Sequence, residues 1–201
     1  MIHIIDYGSG NLGSIVNMIN FLGGEAILTN DPNEIENAEK LILPGVGHFD
    51  HGMNKLIKSN LIPILNDKVL NKNTPILGIC LGAQMMCEKS EEGDVPGLGW
   101  FNADVKKFDS NLGIRIPHMG WNYVEAKKNT TLSKVNDEEQ RFYFVHSYYM
   151  NAHDQEDVLF ETNYGRNFAS GLNKNNIYAC QFHPEKSHKY GISLMKKFLS
   201  L

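Results

Sequence analysis

Pro75-Ile76-Leu77-Gly78-Ile79-Cys80-Leu81-Gly82 is the run from which the rest of the chain is read. Its apolar first half has the length and composition of a buried strand, and Leu81 to Glu88 reads as a helix. A strand that passes into a helix across Gly-x-Cys-x-Gly has the form of a nucleophile elbow, with cysteine in place of serine. Such a turn holds the nucleophile in a strained backbone conformation, and Gly78 and Gly82 leave room where side chains would clash. The sulfur then stands at a helix N-terminus, where unpaired N–H groups favour an anion. The next amide, that of Leu81, can face a developing oxyanion. Read alone, the run is also what a buried cysteine between incidental glycines would show.

Working outward, strand and helix alternate. Ile2 to Asp6 is a buried strand, followed by a turn cluster and a helix on Leu12, Ile15, Val16, Ile19 and Leu22 that Gly23-Gly24 ends. Ala26 to Thr29 reads as a second strand and Leu41 to Leu43 as a third, with a short helix starting at Asp31-Pro32 between them. The stretch from Gly52 to Val69 is helical in pattern, with Pro63 expected to interrupt it. Beyond residue 100 the stretches 100–108, 121–125, 141–149, 157–162, 166–172 and 176–182 carry β-branched and aromatic alternation, and a helix near Tyr190 to Leu199 follows. The expected fold is α/β and three-layered, a mixed, mostly parallel central sheet with helices on both faces, formed as one domain over residues 1–201.

Composition excludes several classes of function. The chain has 201 residues, enough for one such domain without disulfide or metal support. A formal net charge of -4, from 19 Lys and Arg against 23 Asp and Glu, with no long basic run, gives no footprint for nucleic acid. No apolar run has the length of a membrane span, and no leader pattern is read at the N-terminus. The three cysteines, Cys80, Cys87 and Cys180, form no disulfide framework, which points to a reducing, cytoplasmic setting. Cys87 and Cys180 read as small packing residues.

A thiolate that attacks an amide needs a proton carrier for the leaving amine. Among eight histidines, His183 has the most telling context, Gln181-Phe182-His183-Pro184-Glu185, at the end of the last expected strand. Glu185 can fold back to hold the imidazole tautomer. His118 and His146 are rivals for the base and read as site-wall or interface residues. His3, His48, His51, His153 and His188 sit in no motif that favours catalysis. No ligand pair has zinc-motif spacing, so neither a metal nor an organic cofactor is expected.

The segment Gly78 to Gln84 with the late His183-Pro184-Glu185 resembles the class I (triad) glutamine amidotransferases. Four further segments are similar, more narrowly, to the HisH-type glutaminase subunit of imidazole glycerol phosphate synthase: Asp6-Tyr7-Gly8-Ser9-Gly10-Asn11-Leu12, Leu43-Pro44-Gly45-Val46-Gly47, Pro117-His118-Met119-Gly120-Trp121-Asn122 and Tyr143-Phe144-Val145-His146-Ser147-Tyr148. The likeness runs from end to end and implies a flavodoxin-like fold. It implies that Cys80 attacks the glutamine side-chain amide to form a thioester, that His183 protonates the departing ammonia and then activates water, and that Glu185 orients His183. Gln84 and Glu92 match positions that hold glutamine, helped by His146, Ser147 and Tyr148. Gly45, Val46 and Gly47, after Pro44, match the oxyanion segment, a loop misaligned until a partner signals, and Leu81 is the residue whose amide faces the oxyanion from the elbow.

That partner, by the same resemblance, is a HisF-type (βα)8-barrel cyclase forming a heterodimer with the glutaminase. It uses the ammonia to make imidazole glycerol phosphate and AICAR in histidine biosynthesis. Asn11, Trp121, Tyr143 and Lys186 match positions at its contact. Three other readings stay open at the level of sequence. One is a HisH-like paralogue that feeds ammonia to a HisF-like partner aminating a surface-polysaccharide sugar; the others are a PfpI-type cysteine hydrolase and a non-catalytic subunit that kept the fold.

Overall fold

Short, largely apolar runs form the inner strands of the first half, because these are buried on both faces. In the computed structural model, residues 1–136 and 138–201 are described. The first half contains β1 (Ile2–Ile5), α1 (Leu12–Phe21), β2 (Ala26–Thr29), α2 (Pro32–Glu36), β3 (Leu41–Leu43), α3 (Phe49–Lys58), α4 (Ile62–Asn66), β4 (Ile76–Ile79) and α5 (Leu81–Met85). The second half contains β5 (Lys89–Ser90), β6 (Ala103–Lys107), β7 (His118–Ala126), β8 (Gln140–His146), β9 (Tyr148–Ala152), β10 (Val158–Asn163), β11 (Asn167–Lys174), β12 (Ile177–Cys180) and α6 (His188–Leu199).

The sheet is mixed. Its order is β2-β1-β3-β4-β12-β11-β10-β7-β8, with β9, β6 and β5 branching from β11. From β2 to β12 neighbouring strands are parallel, and from β12 to β8 they are antiparallel. Alternation along each strand feeds two cores. Ile5, Leu41, Leu43 and Ile76 pack with Ile35, Leu56, Leu65 and Met85 from α2 to α5. Ile4, Ile42, Leu77 and Ile79 pack on the opposite face with Ile15, Ile19, Leu194 and Phe198 from α1 and α6. Among the described residues no helix is long and apolar enough to cross a membrane.

Three sequence expectations change. The helix expected over 52–69 is broken at Asn60, which adopts φ 56, and Pro63 lies in the first turn of α4. A proline there loses no hydrogen bond, so it begins a helix instead of interrupting one. The helix after Cys80 stops at Met85. The carbonyls of Met85, Met86, Cys87 and Glu88 accept from the amides of Leu98, Trp100, Gly99 and Gly97, which draws residues 86–88 into a loop pairing. The strand expected over 141–149 is two strands, broken at Ser147, because β8 pairs with β7 whereas β9 pairs with β6 and β11.

Candidate active site

Three adjacent parallel strands deliver the site. Leu43 of β3 lies opposite Gly78 of β4, and Ile79 opposite Cys180 of β12. Their carboxyl ends are therefore side by side, where open α/β sheets place their ligands. From those ends β3 runs into Pro44-Gly45-Val46-Gly47, β4 into Cys80, and β12 into Gln181-Phe182-His183. Cys80 and His183 follow strands that are far apart in sequence, yet the register of those strands brings both to one cavity of about 200 Å³.

The elbow is strained where the motif places the nucleophile. Cys80 has φ 54 and ψ -110, a conformation that costs a non-glycine residue on the order of 1–3 kcal/mol. Its amide donates to the Cys180 carbonyl at 2.8 Å, so the neighbouring strand holds the turn. A Cβ on Gly82 would lie 1.9 Å from the Leu43 carbonyl oxygen, so only glycine lets α5 start against β3. The thiol side chains of Cys87 and Cys180 are buried and burial pushes both up in pKa, as befits packing groups.

His183 Nδ1 bonds Glu185 Oε1 at 2.7 Å, and both side chains are 2% exposed. The two residues flank Pro184 in a single turn at Pro184–Lys186, which folds the carboxylate back onto the ring. Burial disfavours a charged ring, but the Cys80 sulfur and the Glu185 carboxylate outweigh it and push His183 up to about 10. With Nδ1 engaged, Nε2 is left for proton transfer at the cavity; it is buried and without a hydrogen-bond partner. Glu185→Gln removes the charge but keeps the shape, and its amide can face Nδ1 with N–H and impose the wrong tautomer. We expect kcat for glutamine hydrolysis to fall by about 10²–10⁴-fold with KM little changed. Steady-state glutamate release measures both constants.

The oxyanion segment is in a closed state. The Leu81 amide donates to the Gly45 carbonyl at 3.3 Å. The Gly45–Val46 peptide thus points its oxygen where an oxyanion would sit, and a half-turn of that peptide would present the Val46 N–H instead. The Tyr7 hydroxyl, buried, donates to the Pro44 carbonyl at 2.7 Å and anchors one side of the segment. On its other side the Val46 carbonyl accepts from the Ser9 hydroxyl at 3.1 Å, at the surface, where Val46 and Gly47 are exposed and Gly47 has φ 96. Gly45 admits no side chain, since a Cβ there would lie 2.7 Å from the Tyr7 hydroxyl.

Gln84, Glu92, His146, Ser147 and Tyr148 line the same cavity with Val46, Gly47 and Leu81. Gln84 Nε2 donates to the Tyr148 carbonyl at 3.0 Å and to Gln181 Oε1 at 2.9 Å, so its Oε1 remains for a ligand. Glu92 Oε2 accepts from the Phe49 amide at 2.9 Å, which ties it to the start of α3. The sequence reading missed two residues here. Val145 lines the cavity, and Gln181, fully buried, aims Nε2 at Cys80 Sγ over 3.8 Å. Gln181 sits two residues before His183, and that adjacency was the available signal. His118, read as a wall or interface residue, is neither: it is buried behind His146, with its Nδ1 2.9 Å from His146 Nε2.

Burial lowers His118 to about 4, and lowers His146 to about 3 against the pull of the Tyr148 carbonyl. Both groups are depressed below the unfolded value of 6.5. Above pH 6.5 both states hold these rings neutral; below it the unfolded chain takes up protons that the fold refuses. The thermal midpoint should therefore fall as pH drops from 6.5 toward 4 and 3, and His118→Phe should flatten that slope in a pH series of melts.

Beside the His183 turn, Trp121, Tyr143 and Lys186 form one cluster. The exposed Trp121 ring, carried on β7, stacks on His188 with centroids 5.5 Å apart and meets Tyr143 edge-on at 6.3 Å. Lys186 Nζ lies 5.9 Å from the Tyr143 ring centre. The Tyr143 backbone also holds the base, its carbonyl accepting from the His183 amide at 2.9 Å. Asn11 precedes α1, exposed, with no hydrogen bond to that cluster. Among the described residues no group of three or more His, Cys, Asp or Glu could hold a metal ion.

The family model for glutamine amidotransferase class-I matches residues 3–200. The chain belongs to the class-I glutamine amidotransferases. Within that family it is 54% identical, over 99% of its length and 98% of the relative, to imidazole glycerol phosphate synthase subunit HisH 2 of Methanococcus maripaludis. It is 48% identical to the HisH 2 subunit of Pseudomonas aeruginosa and 46% identical to the HisH subunit of Leptospira borgpetersenii, each with full coverage of both chains. Solved amidotransferases share the fold of this one at low identity. A glutamine amidotransferase crystal structure has a TM-score of 0.78 at 18% identity, covering 99% of this chain and 97% of that one. PurLQS from Thermotoga maritima has a TM-score of 0.77 at 17% identity, with the same coverage. Membership sets aside the PfpI-type reading of this amidotransferase.

Proposed function

We propose that this chain is the glutaminase subunit of an imidazole glycerol phosphate synthase, with Cys80 as nucleophile, His183 as acid and base, and Glu185 as the group that orients His183. The observation that carries the reading is a single cavity holding Cys80 and a His183 already paired to Glu185, in a chain homologous to HisH subunits from end to end. Cys80 Sγ attacks the side-chain carbonyl carbon of glutamine, and the resulting oxyanion takes hydrogen bonds from the Leu81 amide and, after the peptide turns, from the Val46 amide. His183 gives a proton from Nε2 to the departing nitrogen, ammonia leaves, and a thioester remains. The same nitrogen then takes a proton from water, whose oxygen displaces the sulfur and frees glutamate. Gln84 Oε1 and the free oxygen of Glu92 are both acceptors, which suits the α-ammonium group of the substrate.

The ammonia goes to a HisF-type (βα)8-barrel cyclase docked on the Trp121 face, with Tyr143 and Lys186 beneath it and Asn11 beside it. Aromatic anchors and a cation beside the turn that carries His183 fit such a contact. Two of the relatives are numbered HisH 2, and this favours keeping one second reading, a paralogue whose HisF-like partner aminates a surface-polysaccharide sugar. Glutamate release measured with the histidine-pathway cyclase and its nucleotide ligand separates the two. Strong stimulation supports the histidine pathway. Alkylation of Cys80 by a glutamine-analogue electrophile without stimulation by that cyclase leaves a glutaminase with another partner.

A further inference from the structure

Behind the cavity wall lies a polar path, half-buried at its outer end and buried at His118, His146, Gln84 and Gln181, that the triad does not use. It starts at Asn122 on β7, whose amide is pinned on both sides. Oδ1 accepts from the Tyr123 amide at 2.8 Å, and Nδ2 donates to the Asn163 carbonyl at 3.0 Å. Nδ2 therefore faces His118 Nε2, 3.2 Å away, as a donor, and that ring nitrogen carries no proton. The ring proton sits on Nδ1 and is donated to His146 Nε2 at 2.9 Å. His146 in turn donates from Nδ1 to the Tyr148 carbonyl at 2.7 Å. The far end gives the same assignment independently, because a backbone carbonyl only accepts.

The path continues. The Tyr148 carbonyl takes its second hydrogen bond from Gln84, whose other N–H goes to Gln181 Oε1, which leaves the Gln181 amide nitrogen facing Cys80 Sγ. A proton added to either histidine would set donor against donor, so both rings are held neutral. No proton travels the whole path, since a carbonyl interrupts it; the path fixes positions. Along β7, His118 and Asn122 point inward while Met119, Trp121 and Tyr123 are exposed on the other face. A small movement of this strand is thus passed along hydrogen bonds of 2.7–3.2 Å as far as Gln181, whose amide meets the nucleophile over 3.8 Å.

We propose that His118 and His146 are positioning residues: in fixed Nδ1–H tautomers they hold the Tyr148 carbonyl and, through Gln84 and Gln181, the Cys80 sulfur in register with β7. The proposal rests on the glutaminase reading given above. His118 is stacked between Phe144 and Tyr164, with centroids 4.6 and 3.9 Å away, so His118→Phe keeps the packing and removes both nitrogens. His118→Asn leaves a gap but keeps a donor where Nδ1 was. In the complex with the barrel cyclase, His118→Phe should lower kcat for glutamine hydrolysis about tenfold with KM within about twofold, and His118→Asn should retain more activity. The asparagine variant should nonetheless melt lower. If kcat follows the melting order instead, His118 only packs and the proposal is overturned. Nitrogen-15 NMR of the full chain labelled at histidine reads the tautomers without turnover. Nδ1–H on both rings supports the proposal, and Nε2–H on either, in an enzyme that works, overturns it alone. A wild-type complex that released no glutamate would overturn the glutaminase reading and the proposal together.

Discussion

Cys80→Ala is expected to lower glutamine hydrolysis in the complex by about 10⁴–10⁶-fold, because without the sulfur no thioester forms and only binding and the oxyanion donors remain. Folding should survive, since the hydrogen bond the sulfur accepts from Gln181 is long, at 3.8 Å. Cys80→Gly should be equally inactive yet more stable than Cys80→Ala. At φ 54 an alanine keeps the strain and a glycine releases it, a difference of about 1 kcal/mol. Glutamate release and thermal melts of the two variants check both halves. Residual turnover within tenfold of wild type would assign the nucleophile elsewhere, and a glycine variant less stable than the alanine one would deny the strain.

The second large effect concerns the partner. With the Leu81 amide donating to Gly45 and the Val46 amide turned away, neither oxyanion donor is available in this state. Removing one such donor costs about 10²–10³ in kcat, so docking that turns the Gly45–Val46 peptide should raise glutamate release about 10³-fold. The loop is built for such a turn. Tyr7 fixes Pro44, and the exposed Gly47 at φ 96 absorbs the rotation. Comparison of the isolated chain with the assembled complex at saturating glutamine is the measurement. An isolated chain as fast as the complex would mean that the Leu81–Gly45 bond does not block the site.

The alternating fold and the elbow were legible in the sequence for local reasons. β3 and β4 are buried on both faces, so their runs are apolar throughout, β1 is interrupted by His3 alone, and Gly82 answers a clash with β3 that no other residue survives. Family resemblance narrowed the candidate residues further, and those placed in the cavity are the ones whose positions follow strand ends. Less legible were the breaks. Pro63 begins a helix because Asn60 had already ended the previous one, and residues 86–88 leave their helix because a distant loop claims their carbonyls. Both outcomes depend on partners that a local window does not contain.

The sequence by itself determined the chemistry on offer: a thiol on a glycine-flanked turn, an imidazole with a carboxylate two residues on, and a flexible Pro-Gly-Val-Gly segment. Those are short-range facts, set by residues within one turn of each other. Only the tertiary structure decided which groups meet. Parallel register places the ends of β3, β4 and β12 side by side and closes Leu81 onto Gly45, while the antiparallel pairing of β7 with β8 sets His118 opposite His146, so that Asn122, His118, His146, Gln84 and Gln181 form one ordered path to Cys80. Hydrogen bonds between residues far apart in sequence exist only once the sheet has fixed their separation to a few tenths of an ångström, and no spacing along the chain encodes that distance.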